Sequence, residues 1–251
     1  MNLFIYNKIN RTLGGKRMSK KIASILMSLV LSVSLISCGN GKTAEDASKE
    51  NNTAQEEQKK DAMDAYLTGE WAENRTLDEL KKVFDEKLAK VEETTKKTGL
   101  EYSLDEKIKK IDGQQVTEKA IYFDNENPEM NRMESMYFGL KIYGEDLSSG
   151  EIQLKLSLKF DSKAAIESGK FDLGETAFAK YIEDFTGEEN KDYSNINKSI
   201  IEQLKSGQEE VIVSNTTKDG LKEEYLADKD YIVYKLSTKK YVFADAEMSM
   251  E

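Results

Sequence analysis

Three methionines stand three residues apart at Met130, Met133 and Met136. A thioether is the side chain that selects copper(I) over harder cations, and three on one helical turn could converge on a single ion. In a strand Met133 would point away from the other two, and Met136 also fits the apolar alternation that follows it. Unbranched methionine equally serves to fill irregular gaps in a core. Immediately upstream, Asp124-Asn125-Glu126-Asn127-Pro128-Glu129 gathers hard oxygen ligands. It lacks the glycine and the twelfth-position glutamate of an EF-hand and reads as an exposed acidic hairpin loop. Tyr225, Tyr231, Tyr234 and Tyr241 fall on neighbouring extended segments. A sheet face carrying them could receive a peptide or a glycan, although tyrosine also simply suits strands. Lys170 to Glu175 holds one glycine and is a turn into a helix, not a phosphate loop.

The missing residues narrow the chemistry further. There is no histidine and a single cysteine, Cys38. Histidine-assisted nucleophiles and the usual zinc and copper(II) ligand sets are therefore absent. No catalytic residue and no cofactor is assigned, and the expectation is a non-enzymatic binding or structural module. The alternatives are a copper(I)-binding protein and a carboxylate-based hydrolase of the kind that uses a convergent acid pair. Among 47 acidic residues nothing in the sequence singles out such a pair.

Cys38 closes the run Leu35-Ile36-Ser37-Cys38, behind an apolar stretch from Ile22 to Ser37 and the cationic Lys20-Lys21. A cationic start, an apolar middle and a small residue at the cut make an export signal. At 16 residues the apolar run is short for a membrane span, which needs roughly 20. An uncleaved anchor is the competing reading. Leu35, Ile36, Ser37 and Cys38 resemble the lipobox of bacterial lipoproteins position by position. That resemblance covers about residues 18–40 and implies cleavage between Ser37 and Cys38, with fatty acyl chains on the new N-terminal cysteine. It implies a lipid-anchored, extracytoplasmic protein in the cell membrane or outer membrane. Gly39 is not the aspartate that holds many Gram-negative lipoproteins at the inner membrane. Gly14-Gly15-Lys16-Arg17 before Met18 looks like a ribosome-binding site read as codons, which would make Met18 the true start.

Removing residues 1–37 takes away six basic residues and no acidic ones. The 37 basic residues become 31 against 47 acidic, a formal charge of −16. So acidic a chain repels nucleic acid, leaving the acyl chains as its hold on the membrane and a protein, peptide or glycan as its partner. Residues 38–62 contain no aromatic and no large aliphatic side chain and read as a tether reaching roughly 25–30 Å as a coil. The globular part is expected over residues 63–251, with Trp71 as a core plug.

Within it, Thr76-Leu77-Asp78-Glu79 is a capping box, and Leu77, Leu80, Phe84, Leu88 and Val91 follow at helical spacing up to Gly99. Alternation predicts strands around Tyr102–Ile108, Val116–Phe123, Met136–Ile142 and Ile152–Phe160, the last with Gln153, Lys155, Ser157 and Lys159 on its wet face. Two helices ending at Gly187 and Gly207 come next. Strands are then expected at Val211–Val213, Leu221–Leu226, Tyr231–Leu236 and Tyr241–Ala244. The fold class is α+β, an antiparallel sheet or sheets with packed helices. A helix-plus-four-strand order recurs over possible halves 63–161 and 162–251.

Overall fold

The computed structural model of this chain describes residues 67–243. The signal segment, Met18, Ser37, Cys38 and the tether lie outside the described residues. A single turn, α1 (Gly69–Ala72), precedes the long helix α2 (Leu77–Thr98). The capping box closes reciprocally: Thr76 Oγ1 accepts from the Glu79 amide at 3.3 Å and Glu79 Oε2 accepts from the Thr76 amide at 2.8 Å. Gly99 ends the helix in the left-handed conformation, with φ of 70°, where a side chain would be strained.

Four antiparallel strands follow as a meander: β1 (Ser103–Ile111), β2 (Gln114–Asp124), β3 (Met133–Tyr143) and β4 (Ser149–Lys159). Helices α3 (Ser162–Ser168), α4 (Ala177–Thr186) and α5 (Ser194–Lys205) then lead to β5 (Val211–Thr216), β6 (Lys222–Ala227), β7 (Tyr231–Ser237) and β8 (Tyr241–Val242). Helix α3 was not expected from the sequence. Its seven residues are too few to display a period, and it stands on an Asp161 cap and a left-handed Gly169.

All eight strands join one sheet in the order β1-β2-β3-β4-β7-β6-β5, with β8 paired to the start of β4. The seam between the earlier and later strands is β4–β7, in register from Gln153 opposite Ser237 to Lys159 opposite Tyr231. Helices α2 and α4 pack together on one face, over β3 and β4. Phe84 of α2 stacks on Phe138 of β3 at 5.1 Å, and Phe185 of α4 meets the same ring edge-on at 5.5 Å. Trp71 is fully buried against Phe185, as a core plug should be. Each such side chain contributes about 1.5–3 kcal/mol of burial, so this face carries most of the packing energy. The opposite face presents the alternate residues of β2, β3, β4 and β7, and no described helix is buried against it.

Candidate functional site

On that face, which none of the described helices covers, strand register places side chains in rows. One row runs Glu224, Lys235, Lys155, Tyr137 and Tyr122 across β6, β7, β4, β3 and β2. A second runs Glu151, Lys141, Glu118 and Lys107 across β4, β3, β2 and β1. Between the two rows Gly139 lies opposite Gln153 and Ala120. A Cβ at Gly139 would sit 2.6 Å from Tyr137 Cζ and closer still to the hydroxyl. Glycine is therefore what lets the Tyr137 ring lie down along its own strand.

Lying so, Tyr137 donates its hydroxyl hydrogen bond to Glu118 Oε1 at 2.8 Å. Lys109 Nζ donates to the same oxygen at 2.7 Å. Glu118 is only 4% exposed. Burial pushes its carboxyl up, but the Lys109 hydrogen bond and charge, helped by the Tyr137 hydroxyl, outweigh burial and hold it below its ordinary value. Burial, followed by the Glu118 charge, raises the Tyr137 phenol well above its usual range. A second chain of bonds fixes the other row. Lys141 Nζ donates to Gln153 Oε1 at 2.8 Å, Gln153 Nε2 donates to Glu151 Oε1 at 2.8 Å, and the Tyr143 hydroxyl donates to that same oxygen.

The lysines are the unusual part. Lys141 Nζ and Lys155 Nζ lie 5.9 and 5.8 Å from the Tyr137 ring centroid, within cation–π reach. Lys155 and Lys235 are direct cross-strand neighbours. Among the described residues no carboxylate lies within 4.0 Å of the Lys141, Lys155 or Lys235 amines. Burial first, then the charges of Lys141 and Lys235, lower the Lys155 amine to about 8. Burial also lowers Lys141, against the pull of Glu118 and Glu151.

The tyrosines expected to form a binding face are elsewhere. Tyr225 and Tyr234 are fully buried and Tyr241 nearly so, all beneath the helices. Tyr234 shares its parity with Ile232 and Leu236 and donates to Glu223 Oε1 at 2.8 Å, while Tyr241 donates to the Trp71 carbonyl at 3.1 Å. Only Tyr231 reaches the uncovered face. The alternation that aligns Tyr225, Tyr234 and Tyr241 also turns them into the core, so they do not form an exposed tyrosine face. The methionines separate as well. Met130 is 54% exposed in the loop before β3, whereas Met133 and Met136 are core residues. A register shift between Met133 and Ser135 turns both of them inward despite their odd spacing.

That shift also buries Glu134, which accepts from Ser157 Oγ at 3.0 Å. Burial raises Glu134 and Asp124, and each is raised further by a neighbouring carboxylate. Asp124 opposite Ser135 is therefore where the acidic loop meets the sheet. Glu126, Asn127 and Glu129 stay exposed, with Asn125 Oδ1 capping the Asn127 amide. Two shallow depressions, of about 230 and 570 Å³, lie away from this face, beside Arg75–Glu86 and beside Phe171–Ile201.

Sequence reasoning identified Lys155 as a wet-face residue of its strand but not the site. The partners come from β3 and β7, and the β4–β7 pairing spans a long stretch of chain that no local pattern reveals. No protein-family model, curated protein or solved structure matches this chain significantly.

Proposed function

We propose that this chain is a lipid-anchored, extracytoplasmic binding module, held through acyl chains on Cys38, and that the sheet face opposite the described helices receives its ligand or partner. The observation that carries the reading is the contrast between the two faces. One is filled by helices, and the other holds an ordered array of tyrosine, glutamate and lysine in which three amines lack a carboxylate partner among the described residues. Unneutralised charge held in place on a rigid sheet is what a preformed polar recognition surface requires. The cysteine-terminated signal supports the address.

Lysine footprinting tests the reading. Intact cells and the purified protein are treated with the same membrane-impermeant amine reagent, and modification of Lys141, Lys155 and Lys235 is read by mass spectrometry. The expected result is protection of these three in cells relative to exposed helix lysines such as Lys163 and Lys198. Equal modification in cells and in solution overturns it.

A further inference from the structure

The amines of Lys141, Lys155 and Lys235 are drawn from three different strands, β3, β4 and β7, onto one patch of the sheet face opposite the described helices. Like charges directly opposite across an antiparallel pair oppose folding, yet Lys155 and Lys235 stand in that relation. Nearby carboxylates do not relieve them. Glu118 is occupied by Lys109 and Tyr137, with Lys107 at 4.0 Å. Glu151 is occupied by Gln153 and Tyr143. Glu224 is the register neighbour of Lys235 but forms no ion pair with it. Gln153 uses both ends of its amide, so Lys141 is held in orientation without being neutralised.

We infer that Lys141, Lys155 and Lys235 form a binding site for a tetrahedral oxyanion of the phosphate or sulfate class, seated beside the Tyr137 ring. The inference rests on the reading of this face as the ligand-receiving surface. Ammonium groups bind phosphate-class oxyanions as point charges, and three of them drawn from three strands match the charge of a dianion better than that of a single carboxylate. The described arginines, Arg75 and Arg132, are not part of the array. Ala120 and Val116 are buried on the same face of β2, and burial raises the Tyr137 phenol, so the amines lie beside a weakly polar floor that strengthens their attraction for an anion.

Binding to Lys155 must be linked to protons. An oxyanion stabilises the ammonium form, so affinity is full when the amine is charged and falls as pH rises past about 8. The groups facing that amine are Lys141, Lys235, Glu151, Glu118 and Tyr137. Sulfate stays dianionic across this range and isolates the protein's own titration.

The full-length chain in nonionic detergent is titrated calorimetrically with sodium sulfate, sodium phosphate and glycerol 3-phosphate. Saturable binding of the inorganic ions identifies the free anion as sufficient. Binding of the organic monoester alone identifies a phosphate group carried on a larger molecule. In either case Lys155→Met and Lys235→Met each weaken binding by roughly tenfold or more, while Lys155→Arg retains it and abolishes the weakening between pH 7 and pH 9. No saturable binding of any of the three probes overturns the inference, and so does binding that both methionine variants leave unchanged. If the footprint of the three lysines in cells persists while all three titrations fail, the face is a binding surface of different specificity. Loss of both removes the broader reading as well.

Discussion

Lys155 occupies a position that works against folding, and this can be measured. Its amine is lowered to about 8 by burial and by Lys141 and Lys235, against roughly 10.4 in an unfolded chain. Between those values the unfolded state binds more protons than the folded one, so stability rises with pH across that window. Below about 8 the full penalty of holding the charge is present. Lys155→Met should therefore stabilise the protein at pH 7 by roughly 1–3 kcal/mol, an advantage that shrinks as pH climbs from 8 towards 10.5. Urea unfolding at a series of pH values reads this directly, and a methionine variant less stable than wild type at pH 7 contradicts it. Glu118 is the opposite case. Its folded value is depressed, so its contribution is present above the unfolded carboxylate range and is lost as pH falls through the folded value. Glu118→Gln should cost about 1–3 kcal/mol at pH 7, because the half-buried Lys109 loses its charged acceptor, and the cost should fade in acid. The same unfolding series compares both variants. Within one array, then, one charged residue opposes stability and the next supplies it.

Helix α2 and the strands with one wet face are where local chemistry and tertiary structure agree. The capping box at Thr76 and Glu79, the apolar spacing through Val91 and the Gly99 stop are each local signals, and the helix runs between them. Thr76→Ala should cost about 1 kcal/mol, read as a lowered Tm, with helix content otherwise kept. Strand β4 was legible because five alternate apolar positions face the helices. Strand β1 was only half legible: Leu104 and Ile108 are 46% and 67% exposed, so burial does not enforce its alternation. Helix α3 escaped notice for lack of length. The candidate site escaped for a different reason. Its rows exist only once β7 lies beside β4, and Gly139 looks like any strand glycine until Tyr137 is found lying over it. Gly139→Ala tests that element-level device. It should displace the Tyr137 ring, free Glu118 of one of its donors and raise tyrosine exposure to solvent, measured by fluorescence quenching, while α2 remains intact. An alanine variant with an unchanged Tyr137 environment would show that the glycine is not what permits the pose.

At the scale of the described domain, the sheet has one face packed by helices and one face of polar side chains. The packed face cannot admit a ligand without displacing α2 and α4, whose aromatic contacts with β3 make that costly. The polar face needs no such rearrangement. A net charge of −10 hides this asymmetry, because composition averages the lysine array with the acidic remainder. If Cys38 carries the lipid, Cys38→Ser should abolish incorporation of labelled fatty acid and leave an unprocessed precursor that still holds the signal segment up to Ser37, seen as a mass shift in the purified chain. The folded domain should be indifferent to that change, because the core that holds Trp71 contains no cysteine. Limited proteolysis of wild type and variant should thus yield the same resistant fragment, cut before Met63 and not within β4. A variant that still takes up fatty acid removes the anchor assignment. A first cut inside Leu156–Phe160 would mean that the central strand of the sheet is not the protected element its burial requires.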